Sequence, residues 1–142
     1  MKQYPSRLKY KKNHKPSSFL LYSEDSKNFN TIKGNIILKS LENGRLSYNQ
    51  IEACRRSIRR LLRKQGIIII RIFTNISLTK KPIASRMGSG KGSHSNWISC
   101  VKRGQIICEF LNYNFDLVKA IKVMKIASYK LPIKSIVSYN YY

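Results

Sequence analysis

The twenty residues from Ser47 to Gly66, SYNQIEACRRSIRRLLRKQG, constrain this chain more than any other stretch. Ser47 stands three residues before Gln50, the spacing of a capping box, and Gly66 is placed to close a helix as its C′ residue. Between them Ile51, Cys54, Ile58, Leu61 and Leu62 recur at helical spacing, so they form one apolar arc. Arg55, Arg56, Arg59, Arg60, Arg63 and Lys64 fan across the adjoining arc. A solvated helix face normally intersperses acids at i±4, and here only Glu52 is available. Arginine's planar fork fits phosphate oxygens, so the pattern predicts an amphipathic helix that rests on a core and shows phosphate-binding groups outward.

Composition points the same way. The chain of 142 residues has 28 Lys and Arg against 6 acids, a formal charge of +22. A small domain needs a net charge of only about 2–8 for solubility. The excess calls for a polyanion, nucleic acid or acidic membrane, to relieve the self-repulsion. The length suits a single domain, taken as residues 1–142, and a chain of this size buries roughly 68–70% of its unfolded surface. The basic start contains Pro5 and no apolar run, so no secretory signal is expected. Ile67 to Phe73 is apolar but short and interrupted by Arg71, whereas a membrane span needs about 20 residues; it is expected to be a strand covered on both faces. Cys54, Cys100 and Cys108 are odd in number and form no CxxC, which argues against zinc or a disulfide framework. Cys54 and Met124 are expected to pack in the core. Abundant Lys, Ile, Asn and Tyr fit an A/T-rich genome.

The remaining segments outline an α+β domain. Residues 1–30 form a polar N-terminal extension, basic up to Lys15. Asn35 to Leu41 is a candidate strand, followed by a turn at Asn43-Gly44. Residues 97–111 read as two strands joined by a two-residue hairpin turn at Arg103-Gly104. That register places Trp97, Val101, Ile106, Cys108 and Phe110 on one face and Cys100 on the other. Asn114 is a candidate cap for a second helix with Leu117, Ile121, Met124 and Ser128 as its apolar stripe. Leu131-Pro132 ends that helix, and Ile133 to Tyr139 supplies a last strand. Tyr139, Tyr141 and Tyr142 are expected at a frayed or locally docked terminus.

Residues 74–96 lack apolar periodicity and read as one extended basic loop, carrying Lys80, Lys81, Arg86, Met87, Gly88, Gly90, Lys91 and Gly92. Loops beyond about 12–15 residues are usually functional or disordered. This one resembles a nucleotide cradle but fails as one. A P-loop needs Ser or Thr after its Gly-Lys, and Gly92 follows Lys91; Ser85 stands where the first glycine belongs. The glycines at 88, 90 and 92 do not form GxGxxG, and no acid occurs from Ala53 to Cys108 to hold magnesium or act as base. His14 and His94 have no evident metal partners. Neither catalysis, nor a metal, nor a cofactor is expected. A mobile loop that offers backbone N–H groups, Arg86 and Lys91 to a phosphodiester backbone fits the residues.

Four stretches then carry a resemblance. The opening residues Pro5, Arg7, Lys9, Tyr10, Lys11, Lys12, His14 and Lys15, the run GRLSYNQIEACRRSIRR, the loop KPIASRMGSGKGS with Trp97 after it, and KLPIK all resemble the large-subunit ribosomal protein sixteen family, in its order and from about Pro5 to Ile136. The resemblance implies a hammerhead-type α+β fold, with two helices packed on mainly antiparallel strands, a basic N-terminal extension and a long basic glycine loop. It implies a structural constituent of the large ribosomal subunit, near the peptidyl-transferase region and the A-site tRNA. The rRNA-binding positions would be Arg7, Lys9, Lys11, Lys12, His14, Lys15, Arg45, Arg55, Arg56, Arg59, Arg60, Arg63 and Lys64. The loop 74–96 would approach tRNA and rRNA, and Arg86 matches the arginine that the family can carry hydroxylated. The implied partners are large-subunit rRNA, A-site tRNA and neighbouring ribosomal proteins, with no membrane insertion and no homo-oligomer.

The chain departs from the family between residues 16 and 37, where Pro16-Ser-Ser-Phe-Leu-Leu and the pair Glu24-Asp25 replace a glycine-rich basic stretch; Gly34 is kept and Ile37 stands at a frequent glycine position. Composition and full-length agreement favour a mitochondrial ribosome, with a plastid or the bacterial cytoplasm as alternatives. The alternative within the same class is another basic RNA-binding protein. Two other classes remain in competition: an NTPase using the loop, disfavoured by the missing carboxylates, and a cationic protein on anionic membrane, disfavoured by the few bulky aromatics on the first helix.

Overall fold

A computed structural model describes residues 4–14, 30, 34–63, 65–111 and 116–139. Two helices and seven strands follow in the order β1 (Ile36–Ser40), β2 (Gly44–Ser47), α1 (Tyr48–Leu61), β3 (Ile67–Ile70), β4 (Ile76–Lys80), β5 (Ser93–Val101), β6 (Ile106–Leu111), α2 (Leu117–Ser128) and β7 (Ser135–Tyr139). The strands form a four-stranded sheet in the order β3-β6-β1-β7 and a three-stranded sheet in the order β2-β5-β4, with all pairs antiparallel. The fold is α+β, as the sequence predicts.

Helix α1 starts as expected. The Gln50 N–H donates to Ser47 Oγ (3.4 Å) and the Ser47 N–H donates to Gln50 Oε1 (2.9 Å), the reciprocal capping box. Ile51, Cys54, Ile58 and Leu62 are buried, whereas Leu61 is exposed and leaves the predicted stripe. The helix also ends earlier than Gly66. Leu62 is its C-cap and Arg63 already takes a left-handed φ of 47°. Gly66 serves packing instead: its φ is 74°, and a Cβ there would lie 2.5 Å from Phe110 Cζ.

The core forms between the helices and the four-stranded sheet. Ile36, Leu38, Cys108 and Phe110 from β1 and β6 meet Ile51, Cys54, Ile58 and Leu62 from α1 and Ala120, Val123, Met124 and Ala127 from α2. The apolar stripe of α2 therefore differs from the predicted one. Met124 is buried, but Leu117 and Ile121 are exposed, because the small residues Ala120 and Ala127 allow closer approach to neighbouring elements. The cap of α2 is Asp116, whose Oδ1 accepts from the Val118 N–H at 3.1 Å; Asn114 lies outside the described residues. Tyr139 belongs to β7 and packs partly buried against the core; Tyr141 and Tyr142 lie outside the described residues.

Three further expectations change. β3 covers only Ile67–Ile70, at the edge of its sheet, and none of its residues is fully buried, so it is not covered on both faces; Ile67 is 57% exposed and Phe73 is exposed beyond it. β5 and β6 do not form a hairpin. They belong to different sheets, and the turn at Arg103-Gly104 is pinned to β1 by the Gly104 N–H donating to the Ser40 carbonyl at 2.7 Å and the Ser40 N–H donating to the Gln105 carbonyl at 3.0 Å. Finally, the register of β1 on β6 shifts between Leu38 and Lys39, opposite Cys108 and Ile106, so Ile107 is the extra residue and packs in the core cluster with Cys108, while Ile106 is also fully buried. Cys100 is only half-buried, while Cys108 faces the core and shares a hydrogen bond with Cys54 on α1. That bond holds the Cys54 thiol below its ordinary pKa, while the same bond and burial push Cys108 up.

The reverse face of β6 holds a buried acid that composition gave no reason to notice. Glu109 is 0% exposed, accepts from the Gly34 N–H at 3.0 Å and pairs with Arg71. Burying a carboxylate requires such a partner. A Cβ on Gly34 would fall 2.5 Å from Glu109 Cβ, so the glycine at 34 lets the backbone reach the acid.

Candidate nucleic-acid interface

The cationic residues fall into two groups set by different elements. On α1, the buried stripe turns the arginines outward. Arg56, Arg59, Arg60 and Arg63 are exposed and Arg55 is half-buried; together they line one open depression along the helix. Glu52 holds two of them. Arg55 donates to it through Nε and Nη2, both at 2.8 Å, and Arg56 through Nε at 2.9 Å. The Arg55 guanidinium, with help from Arg56, holds the Glu52 carboxyl down to about 2, and Glu52 in turn raises the Arg55 pKa. Arg59, Arg60 and Arg63 have no acidic partner among the described residues, so they are the free donors of this face. Lys64 lies outside the described residues. Arg45, on β2 opposite Cys100, is exposed.

The second group combines the N-terminal segment and the glycine loop. Arg7, Lys9, Lys11, Lys12 and His14 are exposed, and Lys15 lies outside the described residues. Lys12 Nζ donates to the Lys91 carbonyl at 3.1 Å, and Lys91 Nζ donates to the Asn13 carbonyl, so the two segments lie side by side. At its other end the N-terminal segment meets α1, where the Tyr4 and Tyr48 rings make an edge contact at 5.0 Å. Sequence spacing carried no signal for either contact, since each joins residues far apart in the chain.

The loop is shorter than the predicted interval 74–96. β4 and the start of β5 occupy much of that interval, leaving residues 81–92 as the connection. Its strands escape periodicity reading because Ser77 and Thr79 alternate with only Ile76 and Leu78 as apolar partners, and β5 opens on the polar run Ser93 to Asn96. Lys80, Arg86, Met87, Gly88, Gly90 and Lys91 are exposed, Met87 at 98%, and Lys81 and Gly92 are half-buried. Two kinds of glycine appear. Gly88 and Gly90 have φ of 101° and 79°, and a side chain at either would meet nothing within 4 Å, so they are needed for backbone direction. Gly92 permits close approach, because a Cβ there would lie 2.6 Å from the Lys80 carbonyl oxygen. Lys81 Nζ closes the loop by donating to the Gly88 carbonyl. Arg86 is exposed, and its side chain forms no hydrogen bond or ion pair with a described residue.

A comparison with known families decides the lineage. The model of the family described as ribosomal protein L16p/L10e matches residues 5–137. The chain belongs to the ribosomal protein L16p/L10e family. Every candidate site residue named above lies within the matched span. Among similar proteins, the large ribosomal subunit protein uL16 of Carsonella ruddii is 42% identical, covering 99% of this chain and all of its own. The uL16 protein of Phytoplasma australiense is 38% identical over 92% of this chain and 91% of its own. The uL16c protein of Pleurastrum terricola is also 38% identical, with the same two coverages. No helix among the described residues is long and apolar enough to cross a membrane.

Proposed function

We propose that this chain is a structural constituent of the large ribosomal subunit that binds rRNA through the α1 arginine face. The observation that carries the reading is the set of exposed arginines at 59, 60 and 63, without acidic partners among the described residues, in a chain of this family with a charge of +22. Phosphate contacts of this kind position a protein on RNA without reading sequence. The paired N-terminal segment and loop form a second cationic surface, which we assign to rRNA near the peptidyl-transferase region and to A-site tRNA, with Arg86 as the residue open to hydroxylation. The role needs no catalytic group, and neighbouring ribosomal proteins complete the site. On composition the compartment is a mitochondrion; the relatives compared are bacterial and organellar proteins, and subcellular fractionation of the source cell decides between them.

The test is sedimentation. The protein is expected to co-migrate with the large subunit on a sucrose gradient at high salt, and Arg59→Ala, Arg60→Ala and Arg63→Ala together are expected to reduce its incorporation. Unchanged incorporation of a folded triple variant would refute the assigned face.

A further inference from the structure

The strand register brings an aromatic cleft together at the start of α1. β2 pairs with β5 so that Ser47 lies opposite Ile98, which sets Tyr48, the next residue along, beside Trp97. β4 pairs from the other side, with Ser77 opposite Trp97 and Leu78 opposite Asn96. Between Leu78 and Thr79 the register slips, and Ser95 becomes the extra residue of a bulge. Residues three apart on a regular strand face opposite ways, and the bulge reverses this for His94 and Trp97. Their rings meet at 4.7 Å, and His94 Nδ1 is held by Ser77 Oγ at 2.7 Å, so the indole is buttressed from behind. Tyr4 buttresses Tyr48 through its edge contact. The result is a cleft of about 90 Å³ lined by Tyr4, Tyr48, Asn49, Ser95, Asn96 and Trp97.

Its chemistry is specific. Among the described residues no acid lines it, and the side chains of Asn49, Ser95 and Asn96 form no hydrogen bond with a described residue. Each amide offers a donor and an acceptor at once. The cleft is far smaller than the roughly 300–1,000 Å³ of a site that encloses a whole small molecule. It accepts one flat group, with π-faces for stacking and amides for an edge. Unstacked RNA bases are recognised by this combination.

We infer that the Tyr48–Trp97 cleft receives a single unstacked RNA base, with the rings stacking on it and Asn49 and Asn96 reading its edge. This deepens the RNA-binding reading above and rests on it. It adds base contact to a chain whose other candidate contacts are to phosphate.

Trp97 is the sole tryptophan, so its fluorescence reports on the cleft directly. The full-length protein is titrated with single-stranded hexaadenylate RNA and with an abasic hexamer of equal charge. Hexaadenylate is expected to quench Trp97 saturably and the abasic hexamer to leave it unchanged. Tyr48→Ala is expected to weaken the base-dependent binding by roughly tenfold. The exposed Asn96→Ala variant serves as a second probe that leaves the core intact, and it too should weaken hexaadenylate binding. Equal quenching by the abasic hexamer, or wild-type affinity in both folded variants, overturns the cleft. In either case, salt-dependent rRNA binding lost on replacing Arg59, Arg60 and Arg63 would still uphold the proposed function. Absence of that binding would instead sink the function itself.

Discussion

Glu52→Gln tests the electrostatics of the arginine helix most sharply. In the folded chain the Glu52 carboxyl is held down to about 2 from an ordinary value near 4.5, chiefly by its hydrogen bonds from Arg55. That difference corresponds to roughly 3 kcal/mol at 1.36 kcal/mol per pH unit. The pair is not sealed from water: the Arg56 side chain is 75% exposed. Solvent screening reduces the expected loss on Glu52→Gln to about 1–2 kcal/mol at pH 7. A depressed carboxyl stabilises the fold fully above its unfolded pKa and loses that contribution as pH falls through the folded one. The gap between wild type and Glu52→Gln should therefore be constant from pH 7 down to about pH 5 and shrink by more than half by pH 3. Urea unfolding followed by circular dichroism at each pH measures it. A variant as stable as wild type at pH 7, or a gap that persists undiminished at pH 3, would refute the clamp. The same substitution frees Arg55 and Arg56, so rRNA binding should gain salt dependence, with a log–log slope steeper by up to about two units.

Three other outcomes follow from the geometry. Replacing Arg59, Arg60 and Arg63 by Ala should lower the salt slope of rRNA binding by about three units with little change in Tm; an unchanged slope in filter-binding assays removes them from the interface. Glu109→Ala leaves Arg71 facing an empty, buried position and should cost about 3–5 kcal/mol in urea unfolding, whereas a loss under 1 kcal/mol would show that the pair is dispensable. Gly66→Ala forces a left-handed backbone on a side chain that collides with Phe110, and should lower stability by more than about 1 kcal/mol; a wild-type Tm contradicts the packing role given to that glycine.

Local chemistry made much of this chain legible. The capping box at Ser47 and Gln50 depends on residues three apart, and the buried stripe of α1 on residues within four turns, so both follow from spacing alone. The arginine face is the remainder of the same helix. The α2 stripe was harder to read: Leu117, Val118, Ile121 and Ile126 are apolar yet exposed, so the apolar pattern points several ways, and only contact with α1, β1 and β7 selects the alanine-bearing face.

The features that could not be read along the chain are long-range by nature. The apparent hairpin at Arg103-Gly104 has the right local chemistry, but the pairing of β5 with β2 and β4, and of β6 with β1 and β3, sends its arms to separate sheets. Glu52 was visible as the one acid on a basic face, but its hold on both Arg55 and Arg56 is a matter of side-chain geometry. The meeting of Lys12 with Lys91, of Glu109 with Arg71 and of Tyr48 with Trp97 depends on sheet register and on the Ser95 bulge. The α+β class, the helix that carries the arginines and the excess charge that demands a polyanion are readable along the chain, because they depend on composition and on near neighbours in sequence. Which cations are free, which are spent on internal partners, and which rings share a cleft depend on neighbours across the fold, and only the folded chain specifies those.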